Sequence, residues 1–335
     1  MFACRGIGYI PLRMTTLSMR TDKLWAGEPM PEPPQPRYET ILHNPKSGIS
    51  GTELTSEGLQ RMVDDAGLHA EVVAVRSDMF EDAIKRCIRD GAERVLIAGG
   101  DGTVARAARV LAHTKVALGV LPTGGANNFA AAVGLPTTDL RDAIEVLKSG
   151  VIRAVSLGKT GEGYVFTETA GVGLFADGLA LYGGARQEKL KAIWVWLRLL
   201  TEFKAAPLRL TLDGKRVAHR AILCTVANTY RMADFMPVAP DASLGDAVFD
   251  VVVIEDVPTW ELPRYFTAVR RGQHIGMPGV RVHRAREIVI ETLEGEARHV
   301  YADDQIVGTT PATMTLMPGA LRMVVPAPSA PDLLP

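Results

Sequence analysis

The pentapeptide Gly99-Gly100-Asp101-Gly102-Thr103 lies between the apolar run Val95-Leu96-Ile97 and a helical pattern that starts near Val104. Glycines let a chain turn tightly and bring its backbone against a ligand with no Cβ in the way, and a helix N-terminus adds unpaired N–H groups and positive dipole character. These are the requirements of a phosphate cradle, though an ordinary Gly-rich strand-to-helix turn asks for the same glycines. The acid separates the two readings. A carboxylate beside phosphates repels them unless a cation bridges the two, so Asp101 points to a magnesium-bearing nucleotide. Gly100-x-Gly102-x-x-Ala105 also fits the dinucleotide-binding fingerprint, but that motif needs an acid at the end of the next strand. Here that strand ends in Leu121-Pro122-Thr123. Two more loops carry the same kind of residues: Asn44-Pro45-Lys46-Ser47-Gly48, and Pro122-Thr123-Gly124-Gly125-Ala126-Asn127-Asn128-Phe129.

Each of these loops follows a segment that reads as a strand. Strands over 40–43, 70–75, 94–98 and 116–121 alternate with helices over 55–66, 81–90 and 104–112. A helix over 139–148 closes this part, with Leu140, Ala143, Ile144 and Leu147 on one stripe and Gly150 as its stop. Repeated strand–helix units give a parallel, right-handed, doubly wound sheet, in which the loops at the carboxyl ends of the strands converge on one crevice. The three Gly-rich loops thus build a single site. After Gly150 the pattern turns to short β segments. Leu208, Leu210 and Leu212 alternate with polar residues before the hairpin signal Asp213-Gly214, a return strand covers 221–226, and further strands are expected at 249–254, 287–292 and 321–325. This half reads as an antiparallel sandwich or barrel, interrupted by a helix over 188–204 that carries Trp194 and Trp196. Those two side chains read as core, with a lipid-facing surface as the alternative.

With 335 residues, 47% of them hydrophobic, the chain is long enough for two domains with sizeable cores. A formal net charge of −1 leaves no basic excess for nucleic acid or for constitutive binding to anionic lipid. Cys4, Cys87 and Cys224 are too few and too scattered for a disulfide framework or a zinc knuckle, which fits a reducing, cytoplasmic setting. No apolar run is long enough to span a bilayer. Residues 1–36 hold a proline cluster and no acid before Asp22. They read as a disordered tail, and also fit a transit peptide or a true start at Met14 or Met19. His274, His283 and His299 lack metal-site spacing and read as structural or surface residues. Arg281, Arg284 and Arg286 read as a solvated strand face, with phosphate or headgroup binding as the alternative.

The elements N-P-K-S-G, G-G-D-G-T and L-P-T-G-G-A-N-N-F-A, with G-L-P shortly after, resemble the diacylglycerol kinase catalytic domain family, which includes bacterial lipid kinases and sphingosine and ceramide kinases. The resemblance runs on through Ala170-Gly171-Val172-Gly173, Ala239-Pro240-Asp241-Ala242 with Asp246, Gly272-x-His274 with Pro278, and Thr310-Pro311-Ala312, covering roughly residues 38 to 326. G-G-D-G-T is shared with NAD kinases; the A-N-N-F segment and the C-terminal elements are not. The fold this implies is α/β plus all-β, a doubly wound NAD kinase/diacylglycerol kinase-like domain over 37–150 followed by an antiparallel β-sandwich domain over 151–326, whose C-terminal end packs back on the first, and a tail over 327–335.

The resemblance implies ATP between the domains, with Asn44, Pro45, Lys46, Ser47 and Gly48, then Gly99, Gly100, Asp101, Gly102 and Thr103, around its phosphates. Ser77, Gly124 and Gly125 join them, and Asp101 is oriented to Mg2+. It also implies a structural cation held by Asp246 with the carbonyls of Ser243 and Val248, and a catalytic base in the segment Asp303-Asp304-Gln305 that aligns with the family's D-G-E. The family's Glu is Gln305 here, which places the base role on Asp303 or Asp304. The Thr of its second glycine loop is Gly125, the Arg usually following F-A is Ala131, and Glu168 stands where many relatives have Asn. The expected activity is ATP- and Mg-dependent phosphorylation of a diacylglycerol-like lipid alcohol reached by transient contact with a membrane surface. A silent nucleotide- or lipid-binding homologue and an NAD kinase are the alternatives; the oligomeric state, including a homodimer, is left open.

Overall fold

Four aliphatic segments, Glu39–His43 (β1), Ala70–Ala74 (β2), Arg94–Gly99 (β3) and Ala117–Pro122 (β4), pair in parallel in the order β2-β1-β3-β4. The structure, a computed structural model, describes residues 39–45, 54–182, 204–233 and 236–328. The helices of this part are Ser56–Asp65 (α1), Phe80–Arg89 (α2), Asp101–Leu111 (α3), Asn128–Ala132 (α4) and Leu140–Ser149 (α5). Thr55 caps α1 by accepting from Gly58 N, and Asp139 caps α5 by accepting from Arg141 N. Strand β3 is buried on both faces, as its unbroken apolar run requires. Val95 and Ile97 pack with Ile84, Leu111 and Phe129 on one side, while Leu96 and Ala98 pack with Leu59, Val63, Ile144 and Leu147 on the other. Helix α3 begins at Asp101, three residues before the expected start. Gly100 takes the N-cap position, and an acid in the first turn meets the positive end of the helix dipole.

The second part contains Val151–Thr160 (β5), Val165–Phe166 (β6), Thr169–Gly173 (β7), Leu174–Tyr182 (α6), Ala206–Leu212 (β8), Lys215–Ala227 (β9), Phe249–Glu255 (β10), Leu262–Arg270 (α7), Val280–Ala285 (β11), Glu287–Thr292 (β12), His299–Ala302 (β13), Gln305–Thr309 (β14) and Ala312–Val325 (β15). Its strands pair antiparallel. Asp213 and Gly214 both adopt positive φ, 47° and 82°, in the two-residue turn that joins β8 to β9. The predicted helix over 188–204, with Trp194 and Trp196, falls outside the described residues except at Lys204. Strand β15 is much longer than its predicted piece, because the register shift between Met317 and Leu321 lets it pass through Pro318-Gly319 as a bulge. Its end then pairs in parallel with β4, Arg322 opposite Ala117, so the last strand joins the first sheet to the second.

The core of the second part is centred on Phe166, whose ring stacks on Phe249 at 5.7 Å between centroids and fills the space left by the missing side chain of Gly158. Phe166 is fully buried. We expect Phe166→Ala to cost about 3–5 kcal/mol of unfolding free energy in urea denaturation, because a cavity replaces the ring.

Candidate active site

Strand order reverses between β1 and β3, and a doubly wound sheet opens its crevice at the carboxyl ends of such a pair. Asn44 follows β1 there and spans the gap. Its backbone N donates to Ala98 O at 3.0 Å, its Nδ2 donates to Thr103 Oγ1 at 3.1 Å, and its Oδ1 accepts from Ser77 Oγ at 3.3 Å. Residues of three separate loops thus meet in one network. The next loop closes from the other side. A Cβ on Gly124 would lie 2.5 Å from Gly100 Cα, so the two glycine turns touch backbone to backbone. Asn127, at φ 50°, clamps that turn by accepting from Gly124 N and donating to Gly124 O. Gly102 and Gly125 have open space where a side chain would be, and Gly99 packs against Thr103. Pro45 is exposed; Lys46, Ser47 and Gly48 lie outside the described residues.

Three carboxyl groups meet beside these loops. Asp101 accepts from Phe129 N at 3.2 Å, which ties the acid of the first glycine turn to the N-terminus of α4. Burial pushes its pKa up, against the opposing effect of the Phe129, Asn127 and Asn128 N–H groups. Glu168, between β6 and β7, is only 8% exposed and accepts from Asn128 Nδ2 at 3.0 Å. Burial first, then the charges of Asp101 and Asp303, raise its pKa well above the usual range. A protonated Glu168 donates to Asp101, which lets three acids occupy so small a space.

Asp303 sits in the turn between β13 and β14 with φ 53°. Its carboxylate accepts from Thr167 N at 3.1 Å and from Glu168 N at 2.8 Å. Burial nevertheless outweighs these hydrogen bonds and raises its pKa to about 6. Arg109 of α3 acts in the opposite sense. Its guanidinium lies 4.8 Å over the Tyr164 ring, donates to Val165 O, and draws Asp303 down. Asp304 and Gln305 are exposed, so of the three predicted catalytic positions only Asp303 turns into the crevice.

The sequence reading places Asn127 and Asn128 in the third glycine loop and Glu168 at a departure from the family without giving them a role, and it misses Arg109. The available signal was a lone acid, Glu168, in the otherwise uncharged run 164–176.

Asp101 fits a magnesium ion carried mostly by phosphate and water, which asks a protein for one or two carboxylates, while Glu168 beside it is held protonated and Asp303 is held by the Thr167 and Glu168 N–H groups. Among the described residues no group of three or more His, Cys, Asp or Glu is arranged to hold a metal by itself. The other expected cation position lies around Asp246. Asp246 is paired with Arg284, which also reaches Asp250 at 3.2 Å. Ser243 Oγ accepts from Gly245 N, and Val248 N donates to the Asp246 carboxylate. Asp246 Oδ1 and Asp250 Oδ2 stay buried without a donor, an acceptor-only set that suits a cation. Burial raises Asp250 to about 6. The arginines of this region are engaged in pairs: Arg281 with Glu255, Arg284 with these two acids, and Arg286 with the Ala247 carbonyl.

Residues 39–160 match the family model of the diacylglycerol kinase catalytic domain, and residues 169–325 match the YegS C-terminal NAD kinase beta sandwich-like domain. The chain carries these two matched domains in succession. It is similar to the diacylglycerol kinase of Mycobacterium tuberculosis (strain ATCC 25618 / H37Rv), with 26% identity over 297 residues covering 86% of this chain and 94% of the relative. The diacylglycerol kinase of Bacillus subtilis (strain 168) is 25% identical over 305 residues, covering 88% and 98%. A crystal structure titled as a diacylglycerol kinase from Bacillus anthracis str. Sterne superposes with a TM-score of 0.64 at 21% identity, over 87% of this chain and 97% of that one. That likeness establishes the fold. The first family model ends at the end of β5 and the second begins at β7, so the acid Glu168 lies at the junction of the two.

Proposed function

We propose that the chain transfers the γ-phosphate of ATP, with Mg2+, to the hydroxyl of a diacylglycerol-like lipid. The observation that carries this reading is the carboxyl series Asp101, Glu168 and Asp303, which links the glycine turn of one half to the hairpin of the other. In this account the backbone N–H groups around Gly100, Gly102, Gly124 and Gly125 face the phosphates, and Asn44, Ser77 and Thr103 hold the loops in register. Asp101 faces the cation. Bound magnesium offsets phosphate charge and helps to align the transferring group. Asp303, raised to about 6, takes the proton of the attacking hydroxyl, and Arg109 steadies its charged form.

The lipid acceptor is supported by the surface of the second half. Trp260 is 78% exposed and Phe266 is 43% exposed, beside Arg264, Arg270 and Arg271, a composition suited to the headgroup region of an anionic bilayer. An adjoining cleft is lined by Leu174, Ala205, Ile222, Val257 and Leu262 together with Lys204, Arg220, Asp256 and Thr259. No described helix is long and apolar enough to cross a membrane, so the proposed encounter is at the surface, from the cytoplasmic side. Gly125 and Gln305, which lack the family's side chains, favour a second reading as a binding-only homologue.

Radiolabelled ATP supplied with magnesium to separate reactions holding micelles of diacylglycerol, ceramide or a sphingoid base, or NAD, tests the proposal. Label in the diacylglycerol fraction supports it. Nucleotide uptake with no labelled lipid selects the binding-only reading, and label transferred to NAD selects an NAD kinase.

A further inference from the structure

His219 of β9 and His283 of β11 are 64 residues apart, and their strands do not pair with each other because β10 lies between them. Yet their Nε2 atoms stand 3.2 Å apart. His219 Nδ1 donates to Glu255 Oε1 at 2.9 Å, which assigns the tautomer and leaves the Nε2 lone pair aimed at His283. Two imidazole nitrogens on one tetrahedral metal, each about 2.0–2.1 Å from it, stand about 3.3–3.4 Å apart. A carboxylate on the far nitrogen is the partner that metal-bound histidines usually have.

We infer that His219 and His283 together bind a borderline transition-metal dication such as zinc or copper through their Nε2 atoms, with Glu255 orienting His219 and water completing the coordination. Imidazole selects such metals over magnesium, so the site is distinct in chemistry from the carboxylates of the crevice. No third His, Cys, Asp or Glu ligand converges on it among the described residues. It is therefore an open, two-ligand site. Arg281 is the nearby cation, 3.4 Å from Glu255 Oε2, and the Glu255 carboxylate offsets its charge. Burial, with His219 and Arg281 adding to it, holds the His283 pKa below the ordinary histidine value, so the ring is neutral and able to ligate near neutrality. Without metal, His283 Nε2–H donates to His219. Binding asks only that His283 move its proton to Nδ1, with no net proton lost. The metal would clip β9 to β11 across the intervening strand.

Zinc chloride titrated calorimetrically into the chelator-treated full chain should show one saturable site. His219→Ala and His283→Ala should each weaken it at least about tenfold, and Glu255→Gln about tenfold. Copper(II) bound to the unsubstituted chain should show two nitrogen ligands by electron paramagnetic resonance, a readout that does not depend on any variant folding. A copper spectrum with one nitrogen or none, or zinc affinity unchanged in folded His219→Ala and His283→Ala, overturns the assignment.

Discussion

Replacing Asp303 with Asn is expected to lower kcat by about 10²–10⁴-fold, the usual worth of general-base assistance, while nucleotide affinity stays unchanged. The amide keeps one carbonyl oxygen for the Glu168 N–H, so the hairpin retains its main anchor. The pH profile separates the base role from a structural one. With its pKa raised to about 6, Asp303 is ionised above that value and protonated below it, so the proposed activity of the unsubstituted chain should fall as pH drops through about 6. The Asn variant should have a small residual rate with no such limb. Stability moves the other way. A carboxyl group whose folded pKa is raised binds its proton more tightly in the native state, so its contribution is present at low pH and is lost between its ordinary value, about 3.9, and about 6. A variant that keeps the full rate removes Asp303 from the chemistry.

Asp101→Asn should reduce kcat/KM for magnesium-ATP by about 10²–10³-fold, the scale on which a preorganised electrostatic partner of the transition state is lost. The Asn oxygen can still accept from Phe129 N, so the tie to α4 survives. What disappears is charge. Two consequences separate the functional role from packing: the rate should become less sensitive to magnesium concentration, and Glu168 should titrate at lower pH because a like charge beside it is gone. Steady-state kinetics over a magnesium series, with thermal melts of both proteins, measures this. Equal kcat/KM in the two proteins, with a fall only in melting temperature, would reduce Asp101 to a cap.

The first half of the fold was legible because its signals are local. Thr55, Asp139 and Gly150 mark helix ends by type, and the double-sided burial of β3 follows from Val95-Leu96-Ile97. The start of α3 was not, because Gly102 has poor helix propensity; Gly100 as cap and Asp101 at the dipole override it. Strand β15 was truncated in the sequence reading because Pro318-Gly319 looks like a turn, whereas a bulge carries the chain through. The glycine loops of the crevice could be read from type and spacing. Of the acids facing them, Asp303 was named only through the family resemblance of its segment, since it reaches the crevice through a positive φ, and Glu168, after a two-residue strand with no periodicity, had no readable role. The pairing of His219 with His283 is set by strand order, which spacing along the chain does not encode.

The most direct test of the central claim is calorimetric titration of ATP and ADP into the well-folded chain with and without magnesium. The account predicts one saturable nucleotide site that requires the divalent ion and weakens in Asp101→Asn. No detectable uptake of either nucleotide in the presence of magnesium would contradict it.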